Sequence, residues 1–351
     1  DHRDLHSFPT RRSSDLANSG KSFVGSIVLG MGFTFDDTDR KGVASSLADM
    51  RQLIARNVHN QEVIFPYIGG EEVNQSPSHV HHRFVVDFGE RSEQECRKTW
   101  PDLLSLVEIK VKPERLENGR ESYRRYWWQF GEKRNELRLA IDRISRVWAL
   151  SRVGQHLAVA ALPADMVYSD SLIVFPLPSC AAFCALQARP HEVWARFFGS
   201  SLEDRLRYTP SDCFETFPFP ENWESHPQLE AAGRRYYEFR AQLMTQNDEG
   251  MTKTYNRFHD RSEASTGILA LRELHADMDR AVLDAYGWHD IRPEAEFLLE
   301  YESDEDETGK GKKEPYRYRW NDEAQAEILA RLLELNAERA KRQASRSEEH
   351  T

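Results

Sequence analysis

No apolar run in the 351 residues approaches the roughly 18 that a membrane-spanning helix needs, so no such helix is encoded. Cysteine is scarce, with four residues and no CxxC pair, which argues against a disulfide framework or a zinc ribbon. Cys180 and Cys184 fall in the apolar stretch SCAAFCALQ and read, with Cys96 and Cys213, as buried thiols. Nucleophile and metalloprotease signatures are missing: there is no GxSxG, no HExxH and no Cys–His pairing in a recognisable context. Gly25, Gly30 and Gly32 are spaced GxxxxGxG, which is neither a dinucleotide fingerprint nor a Walker loop, so strand bends explain them. Positive charge is also in deficit, with 47 Lys and Arg against 58 Asp and Glu for a net charge of −11. That balance argues against wholesale binding to polyanions.

The chain has ample material for a core: 39% hydrophobic residues, 11% aromatic residues and eight tryptophans. Its charge is unevenly spread. Between Arg97 and Arg152 there are 14 Lys or Arg against 8 Asp or Glu, a local excess of six positive charges, whereas Glu294–Glu307 holds eight acids and no base. A basic band within an acidic protein fits a localised anion-binding face; a solvated helix face of mixed charge fits it too.

The ends are of another kind. Asp1–Leu16 (DHRDLHSFPTRRSSDL) back-translates without mismatch to DNA resembling a short-read sequencing adapter, and Arg346–Thr351 to one resembling the opposite adapter. Residues 1–16 and 346–351 are therefore expected to be assembly read-through, 1–16 disordered, with the biological chain spanning about Ala17–Ser345.

Within those limits, SFVGSIVLGMGFTF reads as a bent, buried strand and SSLADMRQLIARN as a helix with Leu47, Met50, Leu53 and Ile54 on one face. EVIFPYIGGEEV reads as a strand broken by Pro66 and ending in a Gly-Gly turn, and RFVVDFG as a half-buried strand. SEQECRKTWPDLLSLVEIKVKPER opens with a capping pattern, Ser92 and Glu95, and runs helical around Pro101. RVWALSRV, HLAVAALP and SLIVFPLP are strand-like, and two short helices meet at Pro190. After FPFPENW the pattern turns strongly amphipathic and helical. The expected fold is an α+β module over residues 17–220 followed by an all-α helical tail over 221–345, with an acidic linker near 301–315. No internal repeat is visible.

Recognition chemistry remains. RRYWWQF interleaves Arg124 and Arg125 with aromatics, and SRVGQH places Arg152, Gln155 and His156 at a strand end. Arginine pairs bidentately with guanine and glutamine with adenine in the major groove, while Lys112 and Arg115 suit phosphates. Arg83 and Arg207 complete the candidate set. Trp127 and Trp128 read equally well as core, with arginine stems covering them. In HVHHR, His79 and His81 would share one face of a strand, as metal ligands sometimes do, but no third ligand is nominated.

Several phrases together carry a resemblance: GSIVLGMGFTF, VIFPYIGGEEVN, VKPER, RYWWQFG, SRVGQHLAVAALP, WARFFGSSL, LRYTPSDCFETFPFPENW and GMTKTYNRFHD. From Gly25 to about Asn336 the chain resembles the C-terminal half of MmeI-like enzymes, which are single-chain type II restriction-modification proteins, and related adenine-specific DNA methyltransferases. The resemblance implies a target-recognition domain and helical tail that bind double-stranded DNA in the bacterial cytoplasm, associated with the nucleoid. It also implies a parent in which a methyltransferase domain lies upstream in cis. That parent would move a methyl group from S-adenosyl-L-methionine to N6 of a flipped adenine, in defence against phage. No position here matches the family's catalytic or donor-binding motifs, so the chain alone is expected to bind no cofactor and to be inactive. The alternatives are a stand-alone specificity subunit, a metal-dependent hydrolase built on His79 and His81, and a helical interaction scaffold.

Overall fold

The computed structural model describes residues 18–202, 205–299 and 316–349. The opening stretch 1–16 and the linker expected near 301–315 lie outside them.

Two apolar cores organise the chain. The smaller gathers Phe33, Phe35, Val85, Val86, Phe88, Trp100, Leu103, Leu104 and Val107 around a four-stranded sheet. Its strand order is Thr34–Phe35, Arg83–Val86, Ile64–Ile68, Val167–Tyr168, with only the last pair parallel. Pro66 does not break its strand, which runs through it. The helix Leu47–Arg56 starts at Ser46, whose hydroxyl accepts from the Asp49 amide while the Asp49 carboxylate accepts from Ser46, so two otherwise orphaned donors are satisfied. Ser92 likewise caps Glu93–Thr99. That helix stops before Pro101, which instead opens Pro101–Lys110, because proline has no amide hydrogen to donate inside a helix. Trp127 and Trp128 are buried in this core, and the Trp128 indole donates to the Arg91 carbonyl (3.0 Å). Of the two readings of these tryptophans, the core reading holds.

The larger core lies on an antiparallel sheet ordered Phe23–Val24, Leu172–Phe175, Arg146–Ser151, Ala160–Pro163. The expected single bent strand over 22–35 is two short strands in different sheets, joined by an irregular stretch that holds Gly25, Gly30 and Gly32. On the larger sheet rests the helix Cys180–Gln187, buried at all eight positions because it is apolar on every side. The second short helix, Arg189–Phe198, follows at Pro190 as expected. The first tail helix, Pro227–Asn247, covers Cys180–Gln187 from the opposite side, and the ring series Trp148–Phe183 (4.7 Å) and Phe183–Tyr237 (5.5 Å) ties the three layers together. This core continues through Met278, Val282, Trp320, Ile328 and Leu332, so residues on both sides of Glu221 share it. All four cysteines are free and buried.

An α+β region followed by a mainly helical tail is the observed architecture. The tail comprises Pro227–Asn247, Met251–Phe258, Thr266–Ala285 and Asp322–Glu349. It also contains an element the sequence reading did not foresee, an antiparallel hairpin of Ala295–Leu299 with Tyr316–Trp320, in register over five pairs. The alternation in YRYRW was its signal, overshadowed by the neighbouring acidic run.

Gly233 sits where the first tail helix crosses Cys180–Gln187. A Cβ there would lie 2.2 Å from the Cys180 carbonyl oxygen. Alanine normally stabilises a helix interior by about 1 kcal/mol over glycine. Here the sign should invert: Gly233→Ala is expected to lower unfolding free energy by about 1–3 kcal/mol, measured by urea denaturation. A neutral or stabilising result would show that the two helices do not approach this closely.

Candidate nucleic-acid interface

The strand Arg146–Ser151 belongs to the larger sheet, but the chain changes partner at Arg152. Its amide donates to the Ser171 carbonyl (2.8 Å) and its own carbonyl accepts from Tyr208 (2.8 Å). Val153–Gly154 then joins a second small sheet, against Arg205–Arg207, which pairs in turn with Ser200–Leu202. This switch carries the Arg152 side chain to the rim of an open groove of about 560 Å³. Strand alternation does the rest: Leu206 is buried while Arg205 and Arg207 point outward together. Arg207 lines the same groove.

One wall is the helix Gly70–Gln75, which supplies Glu71, Asn74 and Gln75. It is pinned to the sheets by Gly70 N–H to Ser171 Oγ (2.9 Å) and Asn74 Nδ2 to Ser151 Oγ (2.8 Å). Thr252, at the start of the tail helix Met251–Phe258, forms the facing wall. Gly250 just before it packs on the backbone of Gln75, where a Cβ would fall within 2.4 Å. Only glycine permits that approach, which gives GMTKTYNRFHD a structural reason. Asp170 completes the rim. A second chamber of about 230 Å³ shares Asn74, Ser151, Val153 and Thr252 with the first and adds Gln155, His156 and Arg205.

Of the nine candidates, the structure brings together Arg152, Gln155, His156 and Arg207. Arg83 instead pairs with the buried Glu72 (2.5 Å) beneath the groove wall and stacks on Tyr67. Arg115 corrects the expectation of a phosphate contact: it is 1% exposed and donates to the carbonyls of Leu29, Val28 and Gln129 at 2.8–3.0 Å. Sequence alone could not separate it from Lys112, because both lie in VKPER. Lys112 is partly exposed, bound to Glu108 (2.6 Å) and set over the Trp127 ring. Arg124 donates to the Asn118 carbonyl and Arg125 is exposed over Tyr126. These last three belong to the smaller lobe and do not line the groove. Residues missed by the sequence reading are Glu71, Asn74, Gln75, Asp170, Arg205 and Thr252. For Arg205, the alternation in RLRY was a usable signal.

The Gln155–His156 segment is held from behind. The Gln155 carbonyl accepts from Arg196 (3.0 Å) and Arg317 (3.3 Å), and both guanidinium groups also bind Glu192. Burial alone would raise the Glu192 carboxyl, but Arg317 and Arg196 outweigh it and hold the group well below the usual carboxylate range. His156 bonds Asn256 (2.9 Å) and stacks on His259 (5.1 Å). Burial, reinforced by Arg317, pushes the His156 imidazole down to about 4. It is therefore neutral at physiological pH, with Nε2 engaged by Asn256.

The strand expected to bring His79 and His81 together is absent. His79 has a left-handed backbone (φ 54°) and bonds the Val73 carbonyl (2.8 Å), while burial lowers its imidazole to about 4. His81 packs edge-on against Phe84. Among the described residues no three His, Cys, Asp or Glu side chains gather as a metal-binding group.

The family model of the MmeI target recognition domain matches residues 26–221. Among solved structures, that of the Type IIL restriction-modification enzyme MmeI in complex with DNA superimposes with a TM-score of 0.58 at 16% identity. The overlay covers 92% of this chain and 36% of that one, so the present chain spans little more than a third of its length. No curated protein sequence matches.

Two outcomes follow from the buried cations and imidazoles. Arg115→Ala strands three carbonyls without donors and is expected to cost at least about 2 kcal/mol in urea unfolding. In that variant, retained at a temperature where it stays folded, polyanion binding should be unchanged; lost binding with intact stability would return Arg115 to the surface. Acid titration checks the histidines. His79, His156 and His191 have native values near 4 against an ordinary 6.5, so the unfolded chain takes up protons that the native state refuses. Stability should fall as pH drops from 6.5 towards 4, by about 1.4 kcal/mol per pH unit for each such histidine. His156→Asn should shallow that slope by one proton, and an unchanged slope would contradict the buried, neutral assignment.

Proposed function

Because the chain belongs to the MmeI target recognition domain family, we propose that it reads a short base sequence in double-stranded DNA, and that the groove around Arg152 and Arg207 is where base edges are met. One observation carries the proposal: guanidinium, amide and carboxylate groups converge on an open groove and the chamber that adjoins it. Arg152, Arg205 and Arg207 suit guanine, Asn74, Gln75 and Gln155 suit adenine, and Asp170 and Glu71 suit the cytosine amino group. Lys112, Arg120, Arg124 and Arg125, packed around the smaller core, would serve as phosphate contacts that orient the duplex without selecting sequence. A protein of net charge −11 has little tendency to bind DNA everywhere, which favours contact through these local clusters.

The same proposal extends to the parent activity. A methyltransferase domain acting in cis, outside this chain, would use S-adenosyl-L-methionine to methylate adenine N6 within the sequence read here, serving phage defence in the bacterial cytoplasm. The residues of the present chain contribute recognition to that reaction and no methyl-transfer step.

Selection from a randomised duplex library tests the reading. The wild-type chain is expected to enrich a defined motif. Arg152→Ala and Arg207→Ala should each relax the preference at one position by about 1–3 kcal/mol. Replacing Arg124 and Arg125 together should keep the motif while reducing the salt dependence of binding by about one unit per lost phosphate contact. Absence of any enriched motif at low salt would overturn the assignment.

A further inference from the structure

The chain leaves the small sheet after Val153–Gly154 and enters the larger one at Ala160–Pro163. Residues 155–159 between them belong to no strand. Buried backbone polar groups still need partners, so side chains have to supply what a neighbouring strand would. For Leu157 and Val159, which are 5% and 0% exposed, that partner is Gln187. This residue ends the buried helix Cys180–Gln187, carries its only amide side chain and is itself 2% exposed. Its Oε1 accepts from the Val159 amide (2.9 Å) and its Nε2 donates to the Leu157 carbonyl (2.8 Å). A residue of an adjacent parallel strand would bond the same two groups, one on either side of the residue it faces, here Ala158. Arg240 braces the pair, donating to the Val159 carbonyl (2.5 Å) and to Gln187 Oε1 (3.4 Å).

We propose that Gln187 is a positioning residue for base selection, a role that rests on the reading of the groove and its chamber as the base-reading site. Gln187 lines neither of them, whereas Gln155 and His156, the two residues before Leu157, line the chamber. Two residues of chain span at most about 7 Å, so a shift of the Leu157 backbone is passed directly to Gln155. A base-edge hydrogen bond survives only within about half an ångström of its optimum length. The Gln187 clamp thus fixes where the Gln155 amide stands, and through it which base is accepted. The proposed phosphate contacts lie around the smaller core, so binding that ignores sequence is spared.

Two readouts on the full chain test the role. Gln187→Met keeps the length of the side chain but leaves the Leu157 carbonyl and the Val159 amide unmatched. Amide hydrogen exchange should then quicken about tenfold across residues 155–159 and not in the strand Arg146–Ser151. In binding, the preference for the selected duplex over one altered at the position that depends on Gln155 should fall by about tenfold, with the salt slope unchanged. In a Gln155→Ala background the same substitution should cost nothing further at that position. Gly233→Ala, which strains the same helix at Cys180 and Cys184, controls for plain destabilisation and should leave the preference intact. Where Gln187→Met does not fold, Gln187→Glu serves the same readouts, since it keeps the acceptor for Val159 and loses the donor to Leu157. An unchanged preference in the folded variant, an equal fall in Gly233→Ala, or a further loss in the Gln155→Ala background would overturn the positioning role. A wild-type chain that selects no motif would instead reject base reading, and the exchange pattern would still decide whether Gln187 holds the segment.

Discussion

Glu192 is the point on which the arrangement turns. It is a half-buried carboxylate on the helix Arg189–Phe198, clasped by Arg196 of the same helix and by Arg317 of the tail hairpin. Both guanidinium groups reach past it to the Gln155 carbonyl. Removing one partner leaves the others without their match in a poorly solvated setting. Three parts of the chain far apart in sequence are thus bound into one joint, and the segment carrying Gln155 is among them.

That joint is one of several contacts by which the tail borders the groove as well as the core. Met251–Phe258 supplies Thr252 to the groove and Asn256 to His156, and its preceding Gly250 sits directly on the backbone of Gln75. The hairpin supplies Arg317, and the Tyr318 amide donates to His259 Nδ1 (3.2 Å), the ring on which His156 stacks. Groove residues from the smaller lobe, the larger sheet and the tail therefore hold one another in place. A base-reading surface needs side chains fixed to within a fraction of an ångström, and rigid supports on several sides provide that.

Charge is divided in a consistent way. Buried Arg115 and Arg272 donate to backbone carbonyls, and Arg240 to the Tyr255 hydroxyl, the Gln187 amide oxygen and the Val159 carbonyl; all three lie on aromatic faces, doing structural work. The arginines left at the rim of the groove are those that a small strand turns outward. An acidic overall balance then confines attraction for a polyanion to these few places.

Much of this was legible in the sequence. The amphipathic tail helices, the Ser92 start and the three hydrophobic strands follow from local periodicity and capping, which depend on neighbours within a few residues, whereas the expected helical run around Pro101 is two helices. The segment Ser151–His156 stood out in the sequence by its residue types, and Arg152, Gln155 and His156 do line the groove and the chamber beside it. Periodicity did not reveal which arginines face outward: Arg115 and Lys112, three residues apart, have opposite fates set by what packs over them. Nor did it show that Asn74, Thr252 and Arg205, spread over some 180 residues, line the same chambers. Local order is written in short-range sequence, whereas the groove exists only where long-range packing and the Glu192 joint bring distant strands and helices within reach of one another.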